Sequence, residues 1–197
     1  MPGNKPNYSR IDVLRTLLLI NKNTSRIELV KKLNLGEGTI RTILDSIKNK
    51  KLIVSTNKGH SLTKKGIDLI KKIESIIEIK NIKLNEIYPD MDKSVVLIKT
   101  KQEEEINFQQ RDIAVRHGAN GAIISEFNGK LVIPCPNMDF KKTYTEDYKK
   151  ITSSFKFIKG NVLLICFAYR KSDAEKGALA ISLNLSKELD NIFNKIC

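Results

Sequence analysis

Along the first eighty residues, apolar side chains recur at the helical period in short blocks, each closed by a polar break. Ile11, Leu14, Leu17 and Leu18 share one face of a helix expected over 9–21, which Asn21-Lys22-Asn23 ends. Ser25, followed three residues later by Glu28, forms a capping box that opens a second helix with Ile27, Val30 and Leu33 as its buried stripe. Asn34-Leu35-Gly36 is the turn, with Gly36 expected in a backbone conformation closed to other residues. Ile40, Ile43, Leu44 and Ile47 fit the i, i+3, i+4, i+7 template and predict a third helix over 37–50. Leu52-Ile53-Val54 and His60-Ser61-Leu62 then flank the turn Thr56-Asn57-Lys58-Gly59 as a small hairpin. Thr63 caps a fourth helix with Ile67, Ile70, Ile73, Ile76 and Ile77 on its stripe. The repeat runs on weakly through Ile79, Ile82 and Leu84, an excess able to seat a second subunit or a second domain.

The pattern fades at Tyr88-Pro89-Asp90-Met91-Asp92, the expected linker, and the period then changes. Val95-Val96-Leu97-Ile98 reads as a buried strand, 103–117 as a helix ending at Gly118, and 121–127 with 130–133 as strands around the hairpin turn Asn128-Gly129. Pro134-Cys135-Pro136 stops the second of these strands. A helix over 145–155, a long apolar strand over 161–169 and a last helix over 173–196 complete the chain. The class is α+β: a winged helix-turn-helix over 1–86 and an α/β sandwich over 93–197. The order β-α-β-β-α-β-α matches a ferredoxin-like domain with an added helix, and a profilin-like or other mixed sheet fits nearly as well.

Charge sharpens this picture. The chain is 41% hydrophobic over 197 residues, enough for packed cores, and carries a net +13. Residues 1–80 hold seventeen Lys and Arg against seven Asp and Glu, so +10 of that charge lies over the helix-turn-helix. Cations that neutralise phosphates give salt-dependent affinity for nucleic acid. Burial of the third helix's isoleucines turns Thr39, Arg41, Thr42, Asp45 and Ser46 outward. Double-stranded DNA is the expected partner. Glu37, Gly38, Thr39, Arg41, Thr42 and Ser46 are the expected contacts on the helix, with Lys58 and His60 on the hairpin and Lys64 and Lys65 after it. Arg can bond a guanine edge in bidentate fashion, Thr can touch a thymine methyl or a phosphate, and Gly38 admits a phosphate close to a helix N-terminus. An ordinary solvated helix face would carry similar residues, and a Lys-rich surface also serves solubility.

Gly38-Thr39-Ile40-Arg41-Thr42 and Leu62-Thr63-Lys64-Lys65-Gly66 resemble prokaryotic winged helix-turn-helix regulators of the multiple-antibiotic-resistance type and their archaeal relatives, over roughly residues 9–80. The resemblance implies that the third helix reads DNA while the wing grips its backbone. This chain departs at Lys51, where that family has Gly before the first wing strand, so a sharp left-handed turn is less assured there. Residues 111–122, Gly129-Lys130-Leu131-Val132-Ile133-Pro134 and Glu175-Lys176-Gly177-Ala178-Leu179-Ala180 are similar to an uncharacterised domain that follows winged helices in archaeal proteins. That similarity implies a two-domain regulator and brings no ligand or catalytic residue.

Chemistry of other kinds is thinly represented. There is no Walker-type loop, nucleophile elbow or zinc ligand set, and the two histidines fall in separate domains. Cys135, Cys166 and Cys197 are far apart, and Cys166 reads as a small core residue. Glu103-Glu104-Glu105 reads as an acidic helix start. Asp112 and Arg116 are spaced to pair on one helix face, while Arg111, Arg116 and Asn120 are candidates for holding an anionic effector. No cofactor or metal is expected. The polar start and the lack of a spanning apolar run predict a cytoplasmic protein. The reading is a transcription regulator, a homodimer with an effector-sensing or dimerising second domain, and not an enzyme. Its rivals are a bifunctional protein with a catalytic second domain and a winged-helix protein-interaction module.

Overall fold

The computed structural model of the chain describes residues 8–100, 106–134 and 137–196. The expectations for residues 1–7, 103–105, 135–136 and 197 lie outside these. The chain divides into two compact units, Met1–Ile73 with Ile192–Cys197, and Glu74–Asn191.

In the first unit, helix α1 spans Arg10–Leu19, α2 Arg26–Leu33 and α3 Glu37–Asn49; strands β1 (Ile53–Thr56) and β2 (Gly59–Leu62) form an antiparallel hairpin, and α4 covers Lys64–Ile76. This is the element order of a winged helix. Ile11, Leu14 and Leu17 of α1 and Ile40, Ile43 and Ile47 of α3 are buried, each worth roughly 1.5–3 kcal/mol relative to exposure. A full capping box starts α1: the Ser9 hydroxyl accepts from the Asp12 amide, and Asp12 accepts from the Ser9 amide at 2.9 Å. At Ser25 only half of the expected box forms. Its hydroxyl accepts from the Glu28 amide at 3.1 Å, whereas the Glu28 carboxylate pairs with Lys32 at 2.7 Å. The stripe of α2 is Leu29 and Leu33, with Ile27 81% exposed, because an eight-residue helix turns too little surface inward to bury all its apolar residues.

Two turns differ from expectation. Gly36 lies in ordinary extended backbone (φ −62°), and Asn34 takes the left-handed conformation (φ 55°) that ends α2; Asn tolerates that region through its short polar side chain. At the end of α3, Lys51 adopts φ 59° despite its side chain. The Leu52 amide donates to Ile47 at 3.2 Å and the Lys51 amide to Lys48 at 2.8 Å, the paired bonds of a Schellman motif. The sharp turn before the wing therefore forms without glycine, at a conformational cost of about 1 kcal/mol.

The expected extension of α4 is not helical. Residues Ile77–Lys80 form strand β3, paired antiparallel with β4 (Asp92–Ile98), so the alternation Ile77-Glu78-Ile79-Lys80 serves a sheet edge. The second unit continues with α5 (Phe108–Arg116), β5 (Gly121–Phe127), β6 (Leu131–Ile133), β7 (Met138–Asp139), α6 (Phe140–Thr143), α7 (Thr145–Ser154), β8 (Val162–Ala168) and α8 (Lys171–Leu185). Helix α9 (Lys187–Asn194) begins after Ser186, whose hydroxyl accepts from the Leu189 amide, so the expected last helix is two. Residues Ile192–Cys197 belong to the first unit, where Arg10 donates to Asn194 at 2.6 Å and lies over the Phe193 ring.

The sheet order is β3-β4-β8-β5-β6-β7, with every pair antiparallel. The ferredoxin-like order would put the first and third strands of the expected set at the centre. Here β8 and β5, the fourth and second, take that place, so the ferredoxin-like option is corrected while the α+β class stands. Helices α5 and α8 pack on one face, where Gly177 admits Ala114 and Ala119; a Cβ at 177 would lie 2.8 Å from that of Ala119. On the other face Val95, Leu97, Leu163, Ile165 and Phe167 join Leu84, Ile87, Ile151 and Phe155 in one core. Asp147, fully buried, pins the segment before β4: it accepts from the amides of Asn85, Glu86 and Ile87 at 2.9–3.0 Å. Glu86 in turn accepts from the Glu146 and Asp147 amides. Burial pushes the Asp147 pKa upward, but those amides and Lys150 outweigh it and hold the carboxyl below its ordinary value.

Two outcomes follow for urea unfolding. Lys51→Gly raises stability by about 1 kcal/mol by relieving the left-handed backbone. Asp147→Asn lowers it by about 1–3 kcal/mol at neutral pH. Because the folded pKa is depressed, this contribution is present above the unfolded carboxyl value and is lost as pH falls through the folded one. The variant's loss of stability in acid is correspondingly shallower.

Candidate functional site

Helix α3 presents the first candidate surface. Its apolar face is buried, which leaves Arg41, Thr42 and Asp45 exposed and Thr39 and Ser46 partly so. Among the described residues Arg41 has no ion pair or hydrogen bond, and the Thr42 hydroxyl donates to the Gly38 carbonyl at 3.1 Å. The N-cap, Gly36, supplies no side-chain bond, so the first-turn amides of α3 have no capping side chain. Glu37 pairs with Arg26 at 2.7 Å across the α2–α3 turn, a role that sets Arg26 in place.

Gly38 stands apart from the other helical glycines. A Cβ at Gly66 would fall 2.2 Å from the Leu52 carbonyl oxygen, and Gly177 has the neighbours described above, so the fold itself requires both. A Cβ at Gly38 would meet nothing within 4 Å. Glycine in an exposed helix costs roughly 0.5–1 kcal/mol relative to alanine, and no contact inside the chain accounts for it here.

The wing joins this surface through bonds that sequence reading missed. Thr24 and His60 exchange two backbone bonds, at 2.9 and 2.8 Å, which tie the start of α2 to β2. An isolated bridge of one residue leaves no period in the sequence. The His60 ring sits 2.9 Å from the Ser55 hydroxyl. Its pKa is lowered first by burial, then by Arg26 and Lys48, against a smaller opposing effect of Asp45. Two cations outside the expected set, Arg26 and Lys48, thus face the same place. Lys58 lies exposed at the wing tip. Of the lysines that open α4, Lys64 is exposed and unpaired. Lys65 donates to the Lys50 carbonyl at 3.0 Å and so serves the C-terminal end of α3, which explains a lysine at a helix start.

The second unit contains a cavity of about 460 Å³. It brings together two of the three expected effector residues, Arg111 and Asn120, and leaves Arg116 outside. Asp112 and Arg116 form no ion pair; both are exposed on the short helix. Ile106, Ile123, Ile133 and Met138 give the cavity apolar walls, and Tyr88 stacks on Phe167 with ring centroids 3.9 Å apart. Tyr144 also lines it, its hydroxyl pKa raised by burial and then by Tyr88. Tyr88, Tyr144 and Phe167 lie 23 to 56 residues from Arg111, too far apart for a local motif to mark them. Cys166 is a core residue, and burial pushes its thiol pKa up, which suppresses thiolate chemistry. Among the described residues no group of three or more His, Cys, Asp or Glu is placed to hold a metal, and no helix is long and apolar enough to cross a membrane.

Comparison with known proteins matches both halves of the chain. Residues 11–68 match the family model of the PH0730-like N-terminal domain, and residues 90–185 match a domain of unknown function, DUF4443. Among solved structures, the hypothetical protein PH0730 from Pyrococcus horikoshii OT3 is similar at 26% identity and a TM-score of 0.82, over 96% of this chain and 100% of that one. The chain is therefore similar along nearly its whole length to an archaeal protein, with a separate family model for each half. No curated protein matches it.

Titration of the His60 ring followed by NMR is expected to give a midpoint below the usual ~6.5. The unfolded chain takes up that proton more readily, so stability falls as pH drops through 6.5, and His60→Gln removes this part of the pH dependence.

Proposed function

We propose that the protein is a sequence-specific, double-stranded-DNA-binding transcription regulator that acts in the cytoplasm as a homodimer. Its second unit senses a small-molecule effector or supplies the dimer contact. The observation that carries the reading is Gly38, a glycine with no internal purpose, at the uncapped start of a helix whose outward face bears unpaired Arg41. A phosphate approaching that helix start gains from its amides and from the helix dipole, and glycine lets the DNA backbone come close. In this reading Arg41 reaches a guanine edge, and Thr39 and Thr42 make phosphate or methyl contacts. Exposed Lys48 on α3 and Lys58 at the wing tip add cations, in keeping with the +10 charge of residues 1–80. An effector alters DNA affinity only by binding two arrangements of the readers unequally.

No specific observation favours an enzyme. Among the described residues the cavity lining holds no carboxylate, imidazole, thiol or amine to act as a general base at neutral pH.

Fluorescence anisotropy of the full chain with genomic DNA fragments across a salt series tests the proposal. Binding should weaken steeply with salt, with a slope of about −0.9 per phosphate neutralised. Arg41→Ala should cost about 1–3 kcal/mol of discrimination between sequences. Gly38→Ala should gain roughly 0.5–1 kcal/mol of stability and lose DNA affinity. Absent or salt-insensitive binding contradicts the reading.

A further inference from the structure

We propose that the cavity of the second unit binds a small monocarboxylate with an apolar body, its anionic end on Arg111 and Asn120 and its body against Phe167, Ile123 and Met138. The inference rests on the effector-sensing part of the proposed function and names the chemistry of the effector.

The lining decides the ligand's charge. Arg111 is the one ionised side chain among the described residues around the cavity, and no ion pair or hydrogen bond occupies it. Arg111 lines the cavity while remaining exposed, and its guanidinium can meet a planar carboxylate in bidentate fashion. One cation fits one negative charge; a di- or triphosphate would leave charge unmatched. Among the described residues the lining holds no carboxylate to meet a cationic ligand. Asn120 strengthens the site: its Oδ1 accepts from the Tyr169 amide at 3.4 Å, which leaves its NH₂ group free to donate to a second ligand oxygen.

The remaining surface decides the ligand's shape. About 460 Å³ lies within the range of small-molecule sites, lined by aliphatic and aromatic side chains together with Asn107, Arg111 and Asn120. Tyr88, stacked on Phe167, is held at φ 43°, a conformation costly for an aromatic residue.

The test is calorimetric titration of the full chain with phenylacetate, octanoate and neutral phenylacetamide, with thermal unfolding as a check on each variant. Phenylacetate or octanoate should bind with Kd below about 1 mM. Phenylacetamide should bind at least about tenfold more weakly, and Arg111→Gln should weaken carboxylate binding by a similar factor. Arg116→Gln, exposed and outside the cavity, should leave it unchanged. Failure of both carboxylates, equal binding of the amide, or indifference to Arg111→Gln overturns the proposal. DNA binding measured in parallel separates the two readings. A chain that binds DNA and neither carboxylate rejects this site alone, and one that binds carboxylate and no DNA rejects the regulator alone.

Discussion

Burial of Ile40, Ile43 and Ile47 is the constraint on which the first unit depends. A helix with one face sealed has no freedom over what its opposite face shows, so the position of Arg41 follows from the position of the isoleucines. The end of α3 then organises what comes next. The Schellman bonds at Lys51 aim the chain into β1, and Thr63 donates to the Lys51 and Leu52 carbonyls at 2.7 and 3.1 Å. Gly66 permits that closeness, and Lys65 satisfies the Lys50 carbonyl. Helix, wing and α4 are therefore joined by bonds a few residues long.

The second unit solves a different problem. A seven-residue strand buried on both faces, β8, lies between β4 and β5, which forces helices or covering segments onto each side. One face is closed by small residues of α5 and α8. The other is closed by Ile151 and Phe155 at helix α7 and by Leu84 and Ile87 of a segment with little secondary structure, which three amide bonds to buried Asp147 hold in place. Placing a carboxylate there is costly unless it is fully bonded, and the reciprocal capping by Glu86 completes the arrangement. The cavity opens where this covering segment, at Tyr88, meets the ends of α5 and β5.

The elements with a long, clean period were legible in the sequence: α3, the wing, β5 with its Asn128-Gly129 turn, β8 and α7. What escaped reading was local and context-dependent. Ile77 and Ile79 sit within two residues of a helical isoleucine repeat, and only pairing with β4 makes them strand. The break at Ser186 depends on where α8 stops packing. Asn34 rather than Gly36 takes the left-handed turn because either residue suits it and the chain path decides. Of the candidate site, Arg41 and Gly38 could be named from spacing alone. Arg26 and Lys48 could not, since their nearness to His60 is tertiary. Arg111 and Asn120 were readable as candidates for holding an anion, but their shared cavity depends on Tyr88 and Phe167, which approach from other parts of the chain.

The proposed DNA binding is tested most directly by locating the surface that a duplex perturbs. Amide chemical shifts of the full chain, recorded as a duplex selected from random sequence by the protein itself is added at 0.15 M salt, locate that surface directly. The largest changes should fall on Gly38, Thr39, Arg41 and Thr42, with the wing residues Lys58 and His60 next. Changes confined to the second unit, or none at all under saturating duplex, would contradict it.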